Sequence, residues 1–138
     1  MTAPSTLSQS PVAERRALII DDEWAIRRAL RRFFERRGWS VDEAVDGPTG
    51  LAAVLAASAP TYDFIFCDLN MPGMSGEAVY DAVAAARPAQ ARRVIVATGD
   101  PFSPEVRHFS QRTGCGVLNK PFELAELWAV VERVSAAA

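Results

Sequence analysis

Four short polar islands each close an apolar run. Asp21-Asp22 follows Ala17-Leu18-Ile19-Ile20, Asp68 follows residues 62–67, Thr98 follows residues 93–97, and Lys120-Pro121 follows residues 116–119. Lys120 is the only lysine in the chain. If these runs are parallel strands of an α/β sheet, their carboxyl ends open onto one edge, where such folds bind ligands. Three carboxylates, a hydroxyl and an ammonium would then meet in one pocket. That set suits a divalent cation, which takes hard oxygen ligands, and the oxygens of a phosphoryl group.

The elements that must deliver these groups follow from the pattern of apolar runs. Residues 1–14 contain Pro4, Pro11 and several polar residues without apolar periodicity, and read as a disordered N-terminal arm. From residue 15 to 138, strand-like runs alternate with helical patterns, which predicts a single domain of five βα units around a parallel sheet. The first run is apolar throughout, as expected for a central strand covered on both faces. The second, near residues 39–44, is mixed and reads as an edge. In the first helix Ile26, Ala29, Leu30 and Phe33 form the expected inner stripe, leaving Arg27, Arg28, Arg31, Arg32 and Arg36 outside. Pro48 starts the second helix after Asp46-Gly47, and the third is expected over residues 75–86. Ser103-Pro104-Glu105 starts the fourth, which stops by Gly114. Leu124, Leu127, Trp128, Val131 and Val134 set the inner stripe of the last, over residues 122–136.

Composition narrows the function classes. The chain has 138 residues, 49% of them hydrophobic, and a net charge of −2, which gives no basic field for nucleic acid or an anionic membrane. Its other fourteen basic residues are arginines, and Trp39 and Trp128 read as structural residues, not as base-stacking platforms. Cys67 lies in the run Phe64-Ile65-Phe66-Cys67 and Cys115 has no Cys or His partner nearby, so both are expected as free thiols. No segment approaches the roughly 20 apolar residues of a membrane span, and the N-terminus lacks the pattern of a signal peptide. A cytoplasmic protein without nucleic-acid or membrane partners is expected.

In four strings the chain resembles the receiver domain of two-component response regulators: Leu18-Ile19-Ile20-Asp21-Asp22-Glu23, then Phe66-Cys67-Asp68-Leu69-Asn70-Met71-Pro72-Gly73-Met74-Ser75-Gly76, then Val96-Ala97-Thr98-Gly99, and Leu118-Asn119-Lys120-Pro121-Phe122. The resemblance covers about residues 16–136. It implies a doubly wound, flavodoxin-like five-stranded sheet of order 2-1-3-4-5 flanked by five helices. It implies transfer of a phosphoryl group from a histidine kinase or histidine phosphotransfer protein to Asp68. It assigns Mg²⁺, with Mn²⁺ as a substitute, to Asp22, Asp68 and the backbone carbonyl of Asn70, with Asp21 acting mainly through water. Thr98 and Lys120 would each meet a phosphoryl oxygen, Gly99 would leave the approach open, Leu69 and Met71 would flank the site, and the Lys120-Pro121 bond would be cis. Asp100 would influence how water reaches the acyl phosphate. A protein of this kind is a signalling phospho-acceptor and not an enzyme, beyond self-phosphorylation and autodephosphorylation.

Two departures shape the rest. Many receivers carry Tyr or Phe three residues before the lysine, where this chain has Val117. No output domain follows in the sequence, so a stand-alone phosphoryl shuttle or sink is expected, or a protein that signals to a downstream target. A homodimer could form through the face of the fourth helix, fifth strand and last helix. Residues 117–122 are also similar to the receivers of hybrid histidine kinases, and kinases dock beside the first helix in this family, which makes its arginines candidate docking residues. The alternative is a receiver-like scaffold that works without phosphorylation. A dehalogenase-type phosphatase would need an acid where Asn70 stands, and a flavin carrier would need a glycine- and hydroxyl-rich phosphate loop after the first strand. His108, alone of its kind, reads as an exposed helical residue.

Overall fold

The computed structural model describes residues 14–56 and 61–136. The expected N-terminal arm therefore lies outside the described residues, Glu14 excepted. Five parallel strands, β1 (Arg16–Ile20), β2 (Ser40–Ala44), β3 (Phe64–Asp68), β4 (Val94–Thr98) and β5 (Gly116–Asn119), form one sheet of order β2-β1-β3-β4-β5. Among the described residues five helices connect them, α1 (Trp24–Glu35), α2 (Gly47–Leu55), α3 (Gly76–Ala86), α4 (Pro88–Ala91) and α5 (Pro104–Thr113), and a sixth, α6 (Leu124–Ala136), follows β5.

Alternation along the central strands divides the core into two layers. Leu18, Ile20, Ile65 and Cys67 pack with Val54 of α2, Val79 and Val83 of α3 and Phe109 of α5. Ala17, Ile19, Phe64 and Phe66 face the other way, toward Leu30 and Phe34 of α1 and Leu127 and Val131 of α6. Because both faces are covered, the strands read as unbroken apolar runs. At the amino-terminal end of the sheet Phe34 sits at the centre of an aromatic group, its ring centroid 4.9 Å from Phe64, 5.4 Å from Trp39 and 5.9 Å from Trp128.

Helix starts follow the sequence signals. Asp46 accepts the Thr49 N–H at 2.9 Å, and Ser75 and Ser103 accept those of Ala78 and Val106, each at 3.2 Å. α5 ends on Gly114 at φ 69°, a left-handed conformation that only glycine adopts without cost.

Four expectations need correction. The buried stripe of α1 is Arg27, Leu30 and Phe34, with Ile26 and Phe33 half-buried and Ala29 exposed. Arg27 lies one turn before Leu30 on the core-facing side, and polar groups at the strand ends receive its guanidinium. A sixth helix exists, α4, too short for periodicity to reveal. Its Gln90 is buried and bonds both ways to the backbone of Tyr62, accepting its N–H at 2.8 Å and donating to its carbonyl at 2.9 Å. That clasp serves Tyr62 in place of strand pairing, so β3 starts at Phe64 and not at Tyr62. Asp68 and Thr98 are the last residues of their strands and not the first beyond them: Asp68 pairs in register with Ala97, and Thr98 with Asn119.

Candidate functional site

Three strands deliver charged side chains to one point at the carboxyl edge of the sheet. Asp21, immediately after β1, is fully buried. Its N–H donates to the Ala44 carbonyl at the end of β2 at 3.1 Å, and its Oδ1 accepts the Glu23 N–H at 2.9 Å. Asp68, at the end of β3, is 4% exposed, and its Oδ1 accepts the Asn70 N–H at 3.1 Å. Lys120, just beyond β5, lies between these acids. Its Nζ is 3.0 Å from Asp21 Oδ2, 3.0 Å from Glu23 Oε1 and 3.3 Å from Asp68 Oδ2. The Lys120 backbone N–H donates to the Thr98 carbonyl at 2.8 Å, and the Lys120-Pro121 bond is cis.

Electrostatics and burial oppose one another here. Loss of solvent raises the Asp21 pKa above the ordinary carboxylate value, against the hydrogen bond from Glu23 and the bond and charge of Lys120. Burial alone would lower the Lys120 pKa, but hydrogen bonds to Asp21 and Glu23 and the charges of Asp21 and Asp68 outweigh it and raise it. The lysine thus remains a fixed cation among acids.

Thr98 is fully buried. Its hydroxyl donates to Asn70 Oδ1 at 2.8 Å and accepts the Asp100 N–H at 3.1 Å. The hydroxyl therefore ties the loop after β3 to the loop after β4. Gly99 is exposed, and a Cβ there would meet nothing within 4 Å. Gly76 closes the loop after β3 from the other side: its N–H donates to the Leu69 carbonyl at 3.1 Å, and a Cβ there would fall 2.5 Å from the Asp68 carbonyl oxygen. Only glycine lets α3 begin this close to the strand end.

Sequence-expected residues divide into those gathered at this point and those outside it. Oxygens of Asp21, Glu23 and Asp68 all lie within 4.8 Å of one another, whereas Asp22 is exposed and outside that group. Glu23 joins the group although the sequence pattern assigns it no role; its signal is its place two residues after Asp21, where its own N–H turns back to the Asp21 carboxylate. Leu69 and Met71 are buried in the α2, α3 and α5 layer. Val117 is half-buried against that layer, and His108 is exposed on α5.

The arginines of α1 are not one solvated face. Arg27 is 8% exposed and donates to the Asp21 carbonyl at 2.8 Å and to Glu43 of β2 at 3.1 Å. Arg31 pairs with Glu43 and with Glu35. Arg28, Arg32 and Arg36 remain exposed. Arg27 is therefore committed inward and not presented for docking.

A family model for the response regulator receiver domain matches residues 17–132. The chain belongs to that family. Among its relatives is the chemotaxis protein CheY of Pseudomonas aeruginosa, 29% identical over 118 residues, which cover 85% of this chain and 93% of that protein. Two transcriptional regulators, ResD and PfeR, are longer, and the matches span 25% and 37% of their lengths. Among solved structures, chemotaxis protein CheY4 of Vibrio cholerae is 30% identical with a TM-score of 0.74, over 88% of this chain and 99% of that one. The response regulator TrrA of Thermotoga maritima, solved in complex with Mg²⁺-BeF, is 25% identical with a TM-score of 0.70, over 87% of this chain and 98% of that one. Receiver domains are signalling phospho-acceptors that meet kinases or phosphotransfer proteins and bind Mg²⁺ at an acidic pocket. No described helix of this receiver is long and apolar enough to cross a membrane.

Proposed function

We propose that this receiver accepts a phosphoryl group on Asp68 from a histidine kinase or histidine phosphotransfer protein. The observation that carries the reading is the Asp68 carboxylate at the end of the buried strand β3, 3.3 Å from the sole lysine and within 4.8 Å of two further acids. A carboxylate oxygen of Asp68 attacks phosphorus, a P–O bond forms, and the P–N bond to the donor imidazole breaks with its electron pair left on nitrogen. The Lys120 ammonium, already beside Asp68, neutralises charge on a phosphoryl oxygen. The Thr98 hydroxyl donates to another once it gives up Asn70 Oδ1.

The donor set fits Mg²⁺: the hard carboxylate oxygens of Asp21, Glu23 and Asp68 converge, and among the described residues no His or Cys joins the group. Asp21 and Asp68, with Glu23 or Asp22 and the Asn70 carbonyl, would hold it, and Mn²⁺ suits the same oxygens. When bound, the ion supplies positive charge that offsets repulsion between the acids and the incoming phosphoryl group.

The reading extends to partners and location. A groove of about 450 Å³ lies between α1 and the turn into α6, lined by Ile26, Leu30, Pro121, Phe122 and Leu124, with Glu23 and Lys120 at its polar end. Exposed Trp24 and Arg28 border the start of α1. A helical kinase or phosphotransfer partner docks there, bringing its phosphohistidine to Asp68. A second groove beside α5 and β5, lined by Phe102, Val106, Val117 and Leu118, serves a downstream protein or a second copy. The protein works in the cytoplasm, and its receiver domain takes in the first strand from Arg16.

The deciding experiment is intact-mass analysis after incubation with a small acyl-phosphate donor and Mg²⁺. A labile adduct of one phosphoryl group is expected for the wild type and none for Asp68→Asn or in metal-free buffer. Absence of any adduct, together with no binding of Mg²⁺ or beryllofluoride, would favour a scaffold that works without phosphorylation.

A further inference from the structure

Asp21 and Asp22 share one peptide plane, because the Asp21 carbonyl and the Asp22 N–H belong to the same amide. That plane sets the direction in which the second acid leaves the end of β1. In this receiver the plane is gripped from inside the protein. The Arg27 guanidinium donates to the Asp21 carbonyl at 2.8 Å, and its Nε donates to Glu43 at 3.1 Å. The residue after Glu43 in β2, Ala44, accepts the Asp21 N–H at 3.1 Å. Both backbone groups of Asp21 are therefore referenced to two consecutive residues of the edge strand, one directly and one through Arg27. Arg27 is 8% exposed, and a guanidinium is not withdrawn from water this far without fixed partners.

We propose that Arg27 is a positioning residue for the acidic pocket: braced by Glu43, it sets the Asp21-Asp22 peptide plane and thereby the affinity of the pocket for Mg²⁺. The inference deepens the reading of the pocket as a Mg²⁺ site and rests on it. Arg31 is the internal control, since it shares the Glu43 carboxylate and lies on the same helix but does not touch Asp21.

The test is the Mg²⁺ dissociation constant of the full chain, read by calorimetry and by Trp24 fluorescence, for wild type, Arg27→Met, Arg27→Lys and Arg31→Met, each checked for a native near-UV spectrum. Removal of a group that orients metal ligands weakens binding on the order of 10- to 100-fold, and that loss is expected for Arg27→Met. Arg27→Lys, which keeps the charge but not the fork, is expected to fall between, and Arg31→Met to match the wild type. If Arg27→Met does not fold, Arg27→Lys carries the comparison. Equal dissociation constants for wild type and the folded Arg27 variant would overturn the inference and leave the Mg²⁺ site standing. Equal weakening by Arg31→Met would also overturn it, by showing a general loss of α1 packing. A wild type that does not bind Mg²⁺ would overturn the pocket reading, and this inference with it.

Discussion

Lys120 and Gly76 act on Asp68 from opposite directions, one by charge and one by absence of a side chain. Lys120 is the described cation in contact with Asp21, Glu23 and Asp68 at once. Lys120→Met should therefore leave buried acid oxygens without their donor, at a cost of about 1–3 kcal/mol in metal-free buffer. The check is a urea transition in chelator, and an unchanged midpoint would remove Lys120 from the stability of the pocket. Gly76→Ala presses a methyl group against the Asp68 carbonyl, 2.5 Å away before relaxation. A loss of about 1–3 kcal/mol is expected from such overpacking, with slower phosphorylation because the displaced backbone belongs to the proposed acceptor. Asp21, Asp68, Thr98 and Lys120 were legible in the sequence because each interrupts an apolar run. Arg27 and Glu23 were not, since a lone charge on an amphipathic helix or after an acidic pair reads as solvated until the neighbouring strand is in place.

At the scale of elements, α1 and β2 are joined by charge as well as by packing. Burial raises the Glu43 pKa, but hydrogen bonds from Arg31 and Arg27 and their charges outweigh it and bring the pKa below the ordinary value of 4.5. A carboxylate depressed by folding stabilises the native state above its unfolded pKa, and that contribution is lost as pH falls through the folded value. Glu43→Gln should thus be less stable than wild type at pH 7, with the difference shrinking as pH drops below about 4.5. Parallel denaturation curves across that range check it, and a pH-independent difference would show that packing alone is involved. On the apolar side, Phe34→Ala should cost about 3–5 kcal/mol, because Phe34 is fully buried and touches rings from three other segments. The sheet and five of the helices were legible from apolar runs and caps. α4 was not, because four residues make little more than one turn, and its reason for existing is the clasp of Gln90 on Tyr62, a contact 28 residues away in sequence.

Across the whole molecule, the pocket joins the ends of β1, β3 and β5, so a ligand bound there engages strands from the middle to the edge of the sheet. Mg²⁺ should raise the melting temperature by binding the native state, with about 2.7 kcal/mol gained at a hundredfold excess over the dissociation constant. Scanning fluorimetry with and without chelator measures this, and an indifferent midpoint would argue against the metal. The strand that carries Asp68 is buried at all five of its positions, with alternate side chains set into both layers. Its amides should exchange with deuterium only on global opening. The proposed acceptor is then mounted on one of two strands buried at every position, and the loops around it are the parts phosphorylation is expected to rearrange. An exchange experiment on the beryllofluoride-treated protein should show altered labelling in residues 70–76 and 99–103 and none in β3, so the message is written in the connections while the strand that receives it stays still.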